Sequence, residues 1–185
     1  MELLPQASQK VLLTLRRKTI ATIVDYQIRM LCRLNGLVEP FNADMINPAS
    51  IDVTLGDEIL VENDNGGFTP FNIKEQTFYM PPGSFILAST AEWVRIPTSM
   101  ECVFQLKSSC GRLGYDHALA GYIDAGFHGN ITLELSNLRR FKELPLSAGM
   151  RIGQLRFIKL DSSPIRPYSL TGRYHNDKGV QEAKD

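Results

Sequence analysis

The part of the sequence that is richest in reactive side chains spans residues 107–137, KSSCGRLGYDHALAGYIDAGFHGNITLELSN. Near its end, the run NITLELSN alternates apolar and polar residues, which is typical of a β-strand with one buried face. Ile131, Leu133 and Leu135 then face the core, and Glu134 lies on the opposite face. Glu134 is either an ordinary solvent-exposed residue or a carboxylate in a pocket, where it could act as a general base.

Two features upstream of this strand could contact a ligand. IDAGFHG places Asp124 among glycines, where the backbone can approach a ligand closely, although an aspartate is also common in simple turns. KSSCGRLG brings Lys107, Ser108, Ser109 and Arg112 close together. Two cations, two hydroxyls and accessible backbone amides could hold an oligophosphate, whereas a solvated loop would have a similar composition.

Composition narrows the class of protein. The chain has 185 residues, the length of one domain, and its 20 Lys and Arg balance its 20 Asp and Glu, so no nucleic-acid partner is expected. Cys32, Cys102 and Cys110 are odd in number and have no C-x-x-C spacing, which argues against a disulfide framework and fits a reducing cytoplasm. No stretch approaches the ~20 apolar residues of a spanning helix. We therefore predict a soluble, cytoplasmic protein without a membrane partner.

Apolar spacing and turn signals predict one helix followed by many short strands. Ile23, Ile28, Leu31 and Leu34 have near-helical spacing, and the following NG is a helix stop. After the helix, turn sequences such as INPAS, NDNGG and MPPGS separate short apolar runs. This pattern favours an antiparallel sandwich, barrel or jelly roll. The polar, glycine-containing C-terminal segment is typical of a mobile tail.

Four motifs together resemble those of one enzyme family. NPASIDVTLGD, KSS-x-x-RLG, AGYIDAGFHGNITLEL and LSAGMRIGQL have the order and approximate spacing found in the dCTP deaminase family, a branch of the trimeric dUTPase superfamily. The resemblance implies a mainly β subunit, a distorted jelly-roll/β-barrel of the dUTPase-like type with a short N-terminal helix. It also implies a homotrimer with active sites at subunit interfaces. The implied division is an N-terminal extension of unknown role (1–20), a deaminase domain (21–167) and a C-terminal lid over the nucleotide (168–185).

The resemblance assigns catalytic roles to four residues. Glu134 matches the glutamate that activates the water attacking cytosine C4 and passes protons to the departing ammonia. Ser108 and Arg112 match the serine and arginine of the family's S-S-x-x-R loop, which hold the water and contribute to the charge network. Ala120 matches a small residue whose backbone carbonyl faces the catalytic centre.

The resemblance also implies a set of substrate-binding residues that surround the phosphates, sugar and base. They are Lys107, Ser108, Ser109, Cys110, Gly111, Arg112, Asp124, Phe127, Thr132, Leu133, Glu134, Gln154, Tyr168, Arg173 and Asp177. Three of them depart from the common family pattern. Family members often have arginine at the position of Lys107, lysine at that of Arg173 and glutamine at that of Asp177. One residue is also missing between Gly114 and Ala120 relative to some members.

The sequence lacks the motifs of a zinc deaminase. Such enzymes need H-x-E and P-C-x-x-C, and neither occurs in this chain. His117, His128 and His175 are therefore interpreted as surface or loop residues rather than ligands. We predict no protein-bound metal and no zinc, with Mg²⁺ entering as the counter-ion of the nucleotide triphosphate.

Three functions are compatible with these motifs. The sequence favours hydrolytic deamination of dCTP to dUTP and ammonia, with Glu134 as general base. The alternative is a bifunctional dCTP deaminase/dUTPase that forms dUMP and pyrophosphate. A non-catalytic nucleotide-binding regulatory trimer is the third, but a binder would not need Ser108, Arg112, Asp124 and Glu134 together. A pure dUTPase is disfavoured because the glycine-rich phenylalanine tail of that family is missing.

Overall fold

Short antiparallel strands account for most of the structure, a computed structural model that describes residues 20–184. Except for Ile20, the predicted N-terminal extension lies outside the described residues. In chain order the described strands are β1 Ala21–Thr22, β2 Val38–Glu39, β3 Ile46–Asn47, β4 Ser50–Thr54, β5 Glu58–Glu62, β6 Phe68–Asn72, β7 Phe78–Met80, β8 Phe85–Ser89, β9 Trp93–Arg95, β10 Met100–Leu106, β11 Tyr115–His117, β12 Tyr122–Ile123, β13 His128–Gly129, β14 Thr132–Asn137, β15 Leu144–Leu146 and β16 Arg151–Lys159. The α-helices are α1 Asp25–Asn35, α2 Ser108–Leu113 and α3 Tyr168–Thr171, and Ala43–Met45 form a 3₁₀ turn.

Two larger antiparallel sheets organise these strands. The first has the order β12-β10-β16-β4-β3, with β1 also paired to β16, and the second has the order β11-β14-β8-β5-β6. A three-stranded sheet has the order β13-β9-β2, and a two-stranded sheet pairs β15 with β7. The predicted mainly β fold with a short N-terminal helix is confirmed.

Strand β14 has the predicted alternation. Leu133 and Leu135 are buried, at 2% and 0% exposure, whereas Thr132 and Glu134 are only half-buried. Two neighbours, β8 and β11, hydrogen-bond to β14 and fix its register, with Glu134 opposite Leu87 of β8. Because successive side chains of a strand point to opposite faces, this register keeps Glu134 out of the core.

Helix α1 confirms the predicted helix and stop, with one correction. Gly36 ends it in the left-handed conformation, at φ 61°, which glycine adopts without steric cost. Ile28 and Cys32 are buried, but Leu34 is 74% exposed, so its assignment to the apolar face was wrong. Leu34 is six residues beyond Ile28 and therefore lies about 120° away around the helix. None of the helices formed by residues 20–184 has the length and apolarity needed to cross a bilayer.

Candidate active site

A cavity of about 480 Å³ lies against the polar face of β14. Glu134 and Thr132 line it from the strand, and Asp124 lines it from the turn that follows β12. Phe68 and Phe85 contribute aromatic surface from the second sheet. Small-molecule sites typically enclose about 300–1,000 Å³ and combine apolar walls with a few polar groups, so this cavity has the size and lining of a ligand site.

Glu134 has the electrostatic character expected of a half-buried general base. Burial raises the pKa of its carboxyl group, and its own backbone N–H and the nearby His117 oppose the rise only in part. A carboxylate with a raised pKa takes up a proton more readily than an exposed one, which suits proton transfer near neutral pH. Glu134 is therefore a half-buried carboxylate in a cavity, and not the freely exposed residue of the alternative interpretation.

A tight turn places Asp124 at the cavity. The N–H of Phe127 donates to the Asp124 carbonyl at 3.1 Å, and Gly126 adopts φ 90°, a conformation that side chains disfavour. A Cβ at Gly126 would also lie 3.0 Å from the side chain of Pro167. The two carboxylates thus reach one cavity from different elements, Asp124 from a glycine-dependent turn and Glu134 from a strand.

The structure brings seven of the predicted site residues together around the cavity. They are Ala120, Asp124, Phe127, Thr132, Glu134, Tyr168 and Asp177. The rings of Phe127 and Tyr168 pack with their centroids 5.6 Å apart, and the N–H of Tyr168 donates to the carbonyl of Ala125. This contact attaches the start of the C-terminal segment to the turn that carries Asp124.

The predicted phosphate loop lies outside this cavity. Helix α2 buries only Cys110, whose Sγ donates to the Arg151 carbonyl at 3.5 Å. The other loop residues are exposed, except for the half-buried Lys107; the exposed ones are Ser108, Ser109, Gly111 and Arg112. Their predicted contact with the nucleotide stays a prediction, because in one chain they do not line the cavity of Glu134.

A buried carboxylate anchors the start of that loop. Asp52 is 3% exposed, and the Lys107 ammonium lies 2.5 Å from its Oδ2. The Asn47 side chain donates to the other oxygen at 2.8 Å, and Arg151 lies 3.8 Å away. Asp52 was not identified from the sequence, although it lies within the NPASIDVTLGD motif.

Three further predicted residues do not line the cavity. Leu133 is buried in the core because it lies on the apolar face of β14. Gln154 accepts a hydrogen bond from the Ser50 hydroxyl at 3.1 Å. Arg173 is exposed and donates to the Lys184 carbonyl at 2.9 Å, within the C-terminal segment.

The C-terminal segment, residues 168–184, packs beside the cavity. Its side chains that line the cavity include Tyr174, Asp177, Gln181 and Glu182. The carboxylate of Asp177 is paired with the ammonium of Lys184. Tyr174, Gln181 and Glu182 were not predicted, since nothing in a polar tail indicates which side chains turn inward. Asn130 was not predicted either, although it has the same strand parity as Thr132 and Glu134, so the alternation of the strand indicates it.

Comparison with known proteins identifies the family. The family model described as dCTP deaminase-like matches residues 22–160. The chain belongs to the dCTP deaminase-like family. A protein named dCTP deaminase, dUMP-forming, from Corynebacterium diphtheriae is 37% identical over 165 residues, covering 80% of this chain and 87% of the relative. A protein of the same name from Dictyoglomus thermophilum is 40% identical over 151 residues, covering 72% and 77%.

A solved structure shows the family fold. The 2'-deoxycytidine 5'-triphosphate deaminase of Agrobacterium tumefaciens superposes with a TM-score of 0.65 at 24% identity. The match covers 77% of this chain and 49% of that chain, so this chain spans about half the length of the solved protein. The predicted fold class is confirmed. The C-terminal segment lies beyond the residues that the family model matches.

Two histidines connect the family domain to the C-terminal segment. The rings of His128 in β13 and His175 in the segment lie 6.0 Å apart, and Trp93 packs edge-on against His128 at 5.0 Å. Within residues 20–184, Nε2 of His128 and Nδ1 of His175 are buried without a hydrogen-bond partner. Both side chains are half-buried, His128 in β13 and His175 in a turn, and their interpretation as surface or loop residues rather than ligands stays a prediction. No group of three or more His, Cys, Asp or Glu side chains suited to a metal occurs among the described residues.

Closure of the C-terminal segment should weaken at acid pH. Burial lowers the pKa of His128 below 6.5, and the charges of Arg95 and His175 lower it further, while Asn176 and Glu39 act in the opposite direction. When the segment opens, His128 loses the contact and the charge of His175, so its pKa rises and it binds a proton more readily. Closure is therefore fully favourable above about pH 6.5 and is lost progressively as the pH falls below it.

Hydrogen exchange can test this pH dependence. After correction for intrinsic rates, the amide of Asn176, which donates to the His128 carbonyl, should exchange several-fold faster at about pH 5.5 than at about pH 7.5. A His128→Asn variant, which cannot become charged, should lose most of this difference. Equal pH dependence in the variant and the wild type would contradict a role for His128.

Proposed function

We propose that this chain converts dCTP to dUMP, pyrophosphate and ammonia. The observation that carries the proposal is the placement of two carboxylates, Glu134 and Asp124, in one nucleotide-sized cavity. The relatives support the product, because those with 37–40% identity carry the name dUMP-forming. The preference for dUTP that the sequence motifs suggested is therefore replaced by the bifunctional alternative.

The deamination step follows from the environment of Glu134. Its carboxylate takes a proton from a water molecule, and the resulting hydroxide adds to C4 of the cytosine ring. Glu134 gives this proton to ring N3, then takes the proton of the new C4 hydroxyl and passes it to the exocyclic nitrogen. The bond from C4 to that nitrogen breaks, ammonia leaves, and the C4 carbonyl of the uracil ring forms. The raised pKa assists these transfers, because a carboxyl group whose pKa lies closer to the working pH can accept a proton and release it again.

The second step needs a different water. Asp124, which lines the cavity from the turn after β12, orients a water towards the α-phosphate, so that the bond to the β-phosphate breaks and pyrophosphate leaves. The sum of both steps consumes two waters per dCTP and yields dUMP, pyrophosphate and ammonia. Mg²⁺ enters with the triphosphate and neutralises part of its charge.

A neighbouring copy of the chain completes the site. The predicted phosphate loop is exposed and lies outside the Glu134 cavity, although the resemblance gives both sets of residues a role with the same nucleotide. A homotrimer in which one subunit presents Ser108 and Arg112 to the cavity of the next resolves this separation. The ion pair of Lys107 with Asp52 preorganises the loop for that contact.

A product time course tests the proposed function. With dCTP and Mg²⁺, wild-type protein should release dUMP, pyrophosphate and ammonia together, without a lasting pool of dUTP. Asp124→Asn should instead accumulate dUTP and lose dUMP formation by ~10² or more, since an amide cannot replace the anionic base. Asp64→Asn, which changes an exposed aspartate of the β5–β6 hairpin, is the matched control.

Two outcomes would contradict this proposal. Release of dUTP as the final product by the wild type would restore the monofunctional deaminase. Failure to turn over any pyrimidine nucleotide would favour the non-catalytic regulatory trimer.

A further inference from the structure

We propose that Asn130 is a positioning residue that sets the register of the C-terminal segment over the cavity. The proposal rests on the proposed function for its effect on the reaction, but its structural part can be tested without turnover. Asn130 precedes β14 by two residues and lies at the edge of the cavity. Each polar atom of its amide has a defined partner, and those partners belong to two different parts of the molecule.

The donor side of the amide is attached to a rigid turn. Nδ2 of Asn130 donates to the carbonyls of Thr90 and Glu92, both at 3.0 Å. The turn is held in place because the buried Glu92 carboxylate accepts from the N–H and the hydroxyl of Thr54, at 2.9 and 2.8 Å. The Thr90 hydroxyl closes the turn by donating to the Glu92 carbonyl at 2.9 Å. With its two donors used in this way, the amide has one orientation, and Oδ1 points away from the turn.

The acceptor side of the amide receives the C-terminal segment. Oδ1 of Asn130 accepts from the N–H of Gly179 at 3.0 Å, and the backbone N–H of Asn130 donates to the Asp177 carbonyl at 3.1 Å. These two hydrogen bonds hold the segment at Asp177 and Gly179, on either side of Lys178. Gly129 permits the close approach, since a Cβ there would lie 3.0 Å from the Asp177 carbonyl oxygen.

A second anchor extends the same alignment along the strand. The hydroxyl of Thr132, two residues after Asn130 and on the same face, accepts from the N–H of Gln181 at 3.2 Å. Residues 177–181 therefore follow the edge of the cavity in a fixed register, and Asp177 and Gln181 line the cavity as a result. A shift by one residue would replace these side chains by their neighbours, so Asn130 determines which groups of the segment face the nucleotide.

Aspartate at this position is a sharp test because it has the same shape and no donors. In Asn130→Asp, carboxylate oxygens would face the carbonyls of Thr90 and Glu92, and the side chain would turn away from the position that receives Gly179. We expect the amides of Gly179 and Gln181 to exchange about tenfold faster or more in the nucleotide-free protein. We expect the KM for dCTP to rise about tenfold and kcat to fall less, because the chemistry of Glu134 is untouched.

Two further variants keep the test decisive. Asn65→Asp adds the same charge at an exposed position of the β5–β6 hairpin and should change neither exchange nor KM. Gly179→Pro removes the N–H that donates to Oδ1, and the proline ring excludes the φ of 66° that Gly179 adopts, while β14 is left unchanged. It should therefore release the segment at least as far as Asn130→Asp does, even where that variant folds poorly. The double variant Asn130→Asp/Gly179→Pro should differ little from either single variant, because each substitution already removes the contact between Asn130 and Gly179.

The outcomes separate this proposal from the proposed function. Wild-type exchange rates at Gly179 and Gln181 in folded Asn130→Asp, or at Gln181 in Gly179→Pro, would overturn it. Faster exchange in these variants with an unchanged KM for dCTP would also overturn it, since the register would then have no effect on the reaction. If the wild type does not turn over dCTP, the proposed function fails, and the exchange rates still decide whether Asn130 holds the segment.

Discussion

Replacing Glu134 by glutamine should abolish ammonia release from dCTP, with a loss in kcat of at least ~10². Glutamine keeps the length and hydrogen-bonding geometry of the side chain but cannot accept the proton of the attacking water. The fold should tolerate the change, because burial already raises the pKa of this carboxyl group and so favours its neutral form. Rates of ammonia release at saturating dCTP measure the effect.

The controls for this variant separate lost chemistry from lost binding. The dissociation constant for dCTP and the midpoint of thermal unfolding should stay close to those of the wild type. Glu62→Gln, at the exposed end of β5, makes the same change outside the cavity and should retain full activity. A Glu134→Gln protein that releases ammonia at a rate near that of the wild type would remove Glu134 from the mechanism.

Two inactive variants should restore activity when they are produced together. Arg112→Ala removes a residue of the exposed loop, and Glu134→Gln removes the base in the cavity, so each protein alone should be nearly inactive. In mixed trimers, an intact site forms wherever the loop of a Glu134→Gln subunit meets the cavity of an Arg112→Ala subunit. Random assembly would make about a quarter of the sites intact, and ammonia release from the co-expressed protein should recover to about that fraction.

A matched pair shows whether the recovery comes from shared sites. Co-expression of Glu134→Gln with Glu134→Ala leaves every cavity without its base, and it should give no recovery. Light scattering on each preparation should give the mass of three chains. A site contained within one chain could not be restored by mixing, so absence of recovery in mixed trimers would reject the shared site.

Local patterns of the sequence were sufficient to predict the strand that carries the base. The alternation in β14 is a direct consequence of strand geometry, and the glycine after α1 ends the helix because of its left-handed conformation. Leu34 shows the limit of such patterns, because approximate helical spacing alone did not identify which apolar residues reach the core.

The rest of the site depends on contacts that are distant in sequence. Whether the polar face of β14 meets solvent or a cavity is decided partly by the C-terminal segment. Its contacts with Asn130 and Thr132 each join residues 49 positions apart, and it has no apolar periodicity. The motifs assigned Ser108, Arg112 and Glu134 to one site, but within one chain the loop does not line the cavity, because the order of motifs carries no information on the distances between them. The pair of His128 and His175 was missed for a similar reason, since only the folded segment brings the two rings together.

The edge-on packing of Trp93 against His128 should make the intrinsic tryptophan fluorescence of the protein sensitive to the position of the C-terminal segment. Trp93 is the only tryptophan of the chain, and its neighbour His128 contacts the C-terminal segment through His175. Movement of the segment therefore changes the surroundings of a single indole, without an attached dye or a second fluorophore of the same kind. Stopped-flow fluorescence could then time segment closure against ammonia and pyrophosphate release within one turnover, and show whether the segment opens between the two hydrolytic steps or only after the second.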